Sequence, residues 1–198
     1  LVGSEMCIRD RPGSPREIAK EKFSRTEMGL PEEGIVFVNF NGHYKFDPET
    51  FGTWVRILKR VPGSVLWLMQ GSSTSRENLL REAAIRGLDE GRIIFADNLM
   101  QPYHMSRLQL ADIALDCFFH VGGATTLDAL WAGVPVIVTH GTNVSNRTGR
   151  NLLEVCQMPE LIGATIRDVE NIAVGLALDP GKLAAVKAKL SEKVKTTP

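Results

Sequence analysis

Cysteine is scarce in this chain: Cys7, Cys117 and Cys156 are the only three in 198 residues. None stands in a CxxC or other metal spacing, so neither a disulfide framework nor a zinc site is expected. Reduced thiols in a cytoplasmic setting are the expectation, with Cys117, inside an apolar run, as a small core residue. Charge of one sign is missing as well: 23 Lys and Arg balance 23 Asp and Glu. A neutral chain with no basic block argues against nucleic-acid binding. No apolar run approaches the ~18 residues that a membrane span needs. The opening LVGSEMCIRDR has no apolar core of a signal peptide.

Several chemical signatures are absent too. There is no GxxxxGK[ST] phosphate loop and no GxGxxG, which weakens the P-loop NTPase and ordinary dinucleotide readings. No Asp-x-Asp pair is present to clamp a divalent cation on a nucleotide. There is no HExxH, the four histidines have no metal spacing, and no GxSxG elbow occurs. No metal and no cofactor is therefore expected.

What is present is a regular alternation. The runs Ile35–Phe40, Ser64–Met69, Arg92–Phe95, Asp112–Phe118, Val134–Val138 and Leu161-Ile162 read as strands. Between and after them, helices are expected over Asp47–Arg60, Arg76–Arg86, Gln101–Leu108, Thr126–Ala132, Ser145–Val155, Asp168–Leu178 and Pro180–Val194. Asp47 followed by Pro48 is a helix start; Gly87 and Gly133 are stops. Strands that are apolar throughout are buried on both faces, as in a parallel sheet covered by helices on each side. The expected fold is α/β, a Rossmann-like doubly wound parallel sheet of about six strands. Residues 1–13 lack periodicity and are expected to be an unstructured, non-native junction. Residues 14–30 are expected to be a helical lead-in, and residues 31–198 the domain itself, as a piece of a longer chain.

In such a sheet ligands bind beyond the carboxyl ends of the strands. The stretch HVGGATTLDALWAGVPVIVTHG (His120–Gly141) lies there. Its glycines let the backbone turn sharply and approach a ligand. Thr125 or Thr126 is placed to cap the next helix, whose free amides form an anion site. Asp128, one turn in, suits a ribose hydroxyl. Spacing alone leaves an ordinary capped helix that binds nothing equally open. After the first strand, Asn39–Lys45 offers Lys45 as a phosphate donor or as a solvated loop lysine. His43 reads as a surface residue, and His104 as a ligand contact or a local cap.

The blocks FVNFNGHYKFDP, ILKRVPGSVLWL, GRIIFAD, QLADIALD and TLDALWAGVPVIVT, in this order and spacing, resemble the carboxyl-terminal half of the tetratricopeptide-repeat O-GlcNAc transferase family. The resemblance runs from about Ser24 to the chain end and is closest to bacterial-type members. It implies one Rossmann half of a GT-B glycosyltransferase that binds the UDP of UDP-GlcNAc. It further implies inverting transfer of the sugar to a Ser or Thr hydroxyl of a protein acceptor. Lys45 would sit on the diphosphate as the catalytic cation. Gly123, Ala124, Thr125 and Thr126 would form the diphosphate loop, Asp128 would take the ribose, and Leu99, Gln101 and His104 would line the uracil. Gly42, Gln101 and Gly123 depart from animal members, which carry Gln, Lys and His there. The amino-terminal Rossmann half and the helical repeats would lie elsewhere in the same chain, leaving this piece little or no catalysis alone. Two other readings stay open: a GDP-fucose-dependent protein O-fucosyltransferase of the related plant-type branch, and a non-catalytic nucleotide-sugar-binding or interaction scaffold.

Overall fold

The computed structural model describes residues 16–141 and 146–196. The expectation for residues 1–13, Cys7 and residues 142–145 of the loop after the fifth strand, with the expected helix start at Ser145, lie outside them.

Six parallel strands form one sheet in the order β3-β2-β1-β4-β5-β6. They are β1 (Val36–Asn39), β2 (Val65–Met69), β3 (Ile93–Ala96), β4 (Ile113–Leu115), β5 (Val136–Thr139) and β6 (Ile162–Gly163). This is the doubly wound order, in which the winding reverses between β1 and β4. There Phe37 pairs with Ile113 and Val38 with Ala114. The central apolar strands are buried as expected, with Phe37, Trp67, Leu66, Leu68 and Ile113 wholly inaccessible, while the edge strand β3 leaves Ile94 and Phe95 half-buried. Cys117 is a buried free thiol.

The helices are α1 (Pro48–Arg60), α2 (Ser73–Ile85), α3 (Gln101–Leu108), α4 (Ala124–Trp131), α5 (Thr148–Val155), α6 (Ile166–Ala177) and α7 (Pro180–Thr196). The α1 start follows its local chemistry: Asp47 accepts from the amides of Glu49 and Thr50, with Pro48 at the first helical position. Helices α1 and α6 pack together on one face, while α4 packs against α3 and α7 on the other. Gly133 follows α4 with φ +82° and turns the chain into β5. Among the described residues no helix is long and apolar enough to cross a membrane.

Two expectations are corrected. The lead-in is not helical in its described part: residues 16–24 run without regular structure and 25–29 form a turn. Its backbone is spent on the domain. The Ala19 amide donates to Pro102 O at 3.0 Å, and Ser106 Oγ donates to Glu21 O at 2.5 Å. Arg25 binds Gly34 O and Asp112, each at 2.8 Å. These contacts outweigh helix propensity, which is worth only tenths of a kcal/mol per residue. The fourth strand is also shorter than the run Asp112–Phe118. Beyond Asp116 the backbone turns inward: the Cys117 amide donates to Asp116 Oδ1 and the Phe118 amide to Thr50 Oγ1.

Arg92 clasps the junction between α1 and β2. Its guanidinium donates to Leu58 O, Val61 O, Ser64 O and Ser64 Oγ at 2.7–2.8 Å. Leu58 O and Val61 O lie at the carboxyl end of α1, where the amides of Val61 and Ser64 reach them at only 3.2 and 3.3 Å, and Ser64 stands just before β2. Arg92→Met is expected to lower unfolding free energy by about 2 kcal/mol in urea titration, since the charged donor is lost and its acceptors are left to water. An unchanged midpoint would show the clasp to be redundant.

Candidate functional site

The sheet reversal puts the ends of β1 and β4 side by side, with polar Asn39 closing β1 and polar Asp116 directly after β4. Asn39 closes β1 and donates to Leu115 O at 2.7 Å. Its own Oδ1 receives the Asn41 amide at 2.9 Å. Asp116 follows β4 and is 3% exposed. Its Oδ1 accepts the amides of Cys117 and Gly122 at 2.8 and 2.7 Å, and its Oδ2 accepts Thr126 Oγ1 at 2.9 Å. Asn41 Nδ2 approaches Oδ1 at 3.4 Å. Burial pushes the Asp116 carboxyl upward, while these donors and the nearby Lys45 ammonium pull it back.

The amide oxygen of buried Asn41 serves a second set of groups. Its Oδ1 accepts Thr125 Oγ1 at 2.8 Å and Lys45 Nζ at 3.2 Å. Lys45 also donates to Val121 O at 3.2 Å. It is carried on a short 3-10 turn, His43–Lys45, that begins after Gly42. A cation, a hydroxyl and the amino end of α4 therefore converge at one point beyond the sheet. Such a convergence suits an anion with several oxygens.

The turn into α4 differs from its expected form. Neither Thr125 nor Thr126 caps the helix: Gly123 holds the N-cap position and no side chain caps it. Both threonines lie within the first turn, so their hydroxyls point to Asn41 and Asp116 instead. A Cβ on Gly122 would stand 2.3 and 2.5 Å from the two threonine hydroxyls, so only glycine fits under that cluster. The amides of the α4 first turn are left without a side-chain cap.

Asp128, read from the sequence as a ribose contact, pairs with Arg16 Nε at 2.6 Å. Their side chains are 13% and 7% exposed. A ribose at this carboxylate would share or displace that cation.

His104 lies in α3 and shares a pocket at the strand ends with Asn39, Asn41, Asp116, Thr125 and Thr126. Its ring packs on Phe40 at 5.1 Å, and its Nδ1 sits 2.9 Å from Arg107 Nη2. Leu99 and Gln101 are exposed, Leu99 at 38%, and neither lines this pocket. Ala124 and Gly42 are also exposed. His43 departs from its expected surface role: it is half-buried, 2.7 Å from Met69 O and 2.8 Å from Ser75 Oγ. It ties the 3-10 turn to β2 and α2.

Burial, reinforced by the Arg107 charge, lowers the His104 pKa from 6.5 to about 4. The unfolded chain thus takes up this proton first as pH falls. Stability owed to His104 is intact above pH 6.5, is lost between pH 6.5 and about 4, and is level below. Urea midpoints at about pH 7 and about pH 5 are expected to fall less for His104→Gln than for the parent chain. An equal fall in both would assign the acid sensitivity elsewhere.

Four site residues had no role in the sequence reading: Asn39, Asn41, Arg107 and Asp116. The available signal was a polar side chain at the end of an apolar strand, as in VFVNFN and IALD. For Arg107, a basic residue three positions after His104 in an otherwise apolar helix face gave no such sign.

Known proteins place this geometry in context. A Caenorhabditis elegans UDP-N-acetylglucosamine–peptide N-acetylglucosaminyltransferase is 37% identical over 167 residues, 84% of this chain and 14% of that protein. An Arabidopsis thaliana relative, named "Probable UDP-N-acetylglucosamine–peptide N-acetylglucosaminyltransferase SEC", is 37% identical over 178 residues, 89% of this chain and 18% of its own length. Among solved structures, a lysine-to-methionine mutant of the Thermobaculum terrenum O-GlcNAc transferase superposes with a TM-score of 0.81 at 27% identity. The match covers 94% of this chain and 34% of that one. The chain thus spans less than a fifth of the two sequence relatives. The fold is the expected Rossmann-like half of a GT-B glycosyltransferase. The model of glycosyl transferase family 41 matches residues 13–198, and the chain belongs to that family.

Proposed function

We propose that this chain is the donor-binding half of an inverting protein O-linked glycosyltransferase that moves GlcNAc from UDP-GlcNAc to Ser or Thr hydroxyls. The observation that carries the reading is the meeting of Lys45 Nζ and Thr125 Oγ1 on Asn41 Oδ1, at the reversal of the sheet. The names of the relatives supply the donor and acceptor classes.

In this reading the diphosphate lies across the amino end of α4. The first-turn amides and Thr125 bind it, and Lys45 faces the oxygens that gain charge as the sugar–phosphate bond breaks. An acceptor hydroxyl attacks the anomeric carbon from the opposite side, and UDP departs. The work of this half is stabilisation of the leaving group by charges already in place. Gly123, Ala124 and Thr126 shape the loop, and Asp128 meets the ribose in place of Arg16. Leu99, Gln101 and His104 border the base. The acceptor and its catalytic surroundings come from an amino-terminal Rossmann half and helical repeats of a longer cytoplasmic chain.

Calorimetric titration with UDP, UDP-GlcNAc and GDP tests the reading. Saturable UDP binding that Lys45→Ala weakens supports it. Preference for GDP, or no nucleotide binding at all, would sink it.

A further inference from the structure

The lead-in climbs the domain along α3. Arg25 anchors its far end near the amino ends of β1 and β4, donating to Gly34 O and Asp112 Oδ2 at 2.8 Å each and to Leu110 O at 3.3 Å. Nearer the chain start, Phe23 meets Tyr103 edge-on with ring centres 6.5 Å apart, and Glu21 O accepts Ser106 Oγ at 2.5 Å. The Ala19 amide then donates to Pro102 O at 3.0 Å, in the first turn of α3 beyond the carboxyl end of β3. The segment thus passes from the amino edge of the sheet to the edge that carries the site. There Arg16 Nε meets Asp128 Oδ1 at 2.6 Å, and both atoms are closed to solvent. Only 13% of the Asp128 side chain is exposed, so with Arg16 in place a ribose hydroxyl cannot reach Oδ1. The vicinal hydroxyls of a ribose donate a pair of hydrogen bonds that match the two oxygens of one carboxylate. Arg16 and a ribose therefore need the same atom.

We propose that the lead-in is a displaceable strap, whose Arg16 holds the Asp128 carboxylate until the ribose of a nucleotide replaces it. This inference rests on the donor-site reading above. The anchoring is graded along the segment. Arg25 is tied to three elements of the domain, whereas residues 16–19 have no regular structure and are held by the ion pair, the Ala19 bond and half-buried Ile18. A segment with so few contacts opens ahead of its anchor. Neither charge is stranded in the exchange: Arg16 passes to water, and Asp128 accepts two hydroxyls. Only the open fraction of the chain is competent to bind, and the apparent affinity falls by that fraction. A strap closed about nine-tenths of the time weakens the nucleotide about 10-fold. The fold thereby carries its own competitor for the donor, and occupancy of the site is transmitted into the segment that leads into the domain.

Two measurements on this chain decide it. The first is calorimetric titration of the parent, Arg16→Ala and Arg16→Gln with UDP and with 2′,3′-dideoxy-UDP, each variant checked by circular dichroism. Arg16→Ala should bind UDP about 10-fold more tightly than the parent, and Arg16→Gln at least ~3-fold more tightly. Dideoxy-UDP, which has no hydroxyl to compete for the carboxylate, should bind all three within about 3-fold. Unchanged or weaker UDP binding by the variants overturns the strap while the donor-site reading stands. An equal gain for UDP and dideoxy-UDP overturns the competition for Asp128. No UDP binding by parent or variant sinks the donor-site reading and the strap with it. The second is an NMR spectrum of the nitrogen-15-arginine-labelled chain, with the Arg16 Nε–H signal assigned by its loss in Arg16→Gln. Saturating UDP should move that signal to the position of a free arginine side chain, and saturating dideoxy-UDP should leave it in place. An Arg16 signal that UDP leaves unmoved shows that the cation stays on Asp128, and the proposal falls.

Discussion

Lys45→Ala, in a full-length enzyme carrying this domain, is expected to lower kcat by about 10²–10³-fold, the cost of losing one preorganised charge at a developing anion. The melting temperature should move by no more than about 2 °C, because only two hydrogen bonds of a half-buried side chain are lost. After truncation, Asn41 Oδ1 keeps Thr125 as a partner, so the cluster around it stays satisfied. Val121 O loses the ammonium. The expected split is therefore large in turnover and small in stability. Matching losses in both would show that Lys45 is a structural cation and not a partner of the leaving group. Lys45→Arg should recover only part of the activity, since a planar guanidinium does not replace a compact ammonium.

Asp116 is expected to show the opposite split. Asp116→Ala should cost about 3–5 kcal/mol in urea unfolding, the range for breaking a buried charged hydrogen-bond group by removing one partner. It would strip the Cys117 and Gly122 amides and the Thr126 hydroxyl of their acceptor at once. Asp116→Asn should cost far less, about 1 kcal/mol. Its Oδ1 can still accept both amides, and its Nδ2 can donate to Thr126 Oγ1. If Asn and Ala prove equally damaging, the negative charge and not the acceptor geometry holds the loop. In either case nucleotide affinity should follow the loop, because Gly122 and Thr126 open the turn into α4.

The alternation of apolar runs and helix signals was legible because each is a local property. VFVN, VLWLM and VIVT have nothing polar to expose except at their ends, so they have to be covered on both faces, and parallel packing follows. Asp47-Pro48 set the start of α1 through bonds within three residues. Lys45, Thr125 and the glycines were legible as candidates because they sit in loops after strands. The lead-in was misread because its helix propensity is weak and Pro102 O, Ser106 and Asp112 lie far away in sequence. The threonine caps were misread for a related reason. Whether a hydroxyl turns back to its own helix or across to another element depends on what stands opposite, and here Asn41 and Asp116 do.

The sequence by itself determined the class of fold, the side of the sheet that carries the site, and the family to which the residues point. Periodicity, turn residues and motif order are written in neighbouring positions, so each is a local property of the chain. Only the tertiary structure decided that β1 and β4 are neighbours. That adjacency brings Asn41 within reach of Asp116 and Thr125, 75 and 84 residues later in the chain. It also decided that Arg16 holds Asp128 and that Arg107 Nη2 stands 2.9 Å from His104 Nδ1 inside the core. The last of these is a three-residue step along one helix, yet its meaning comes from burial: only inside the core is a guanidinium left without water, so that the nitrogen beside it has to accept.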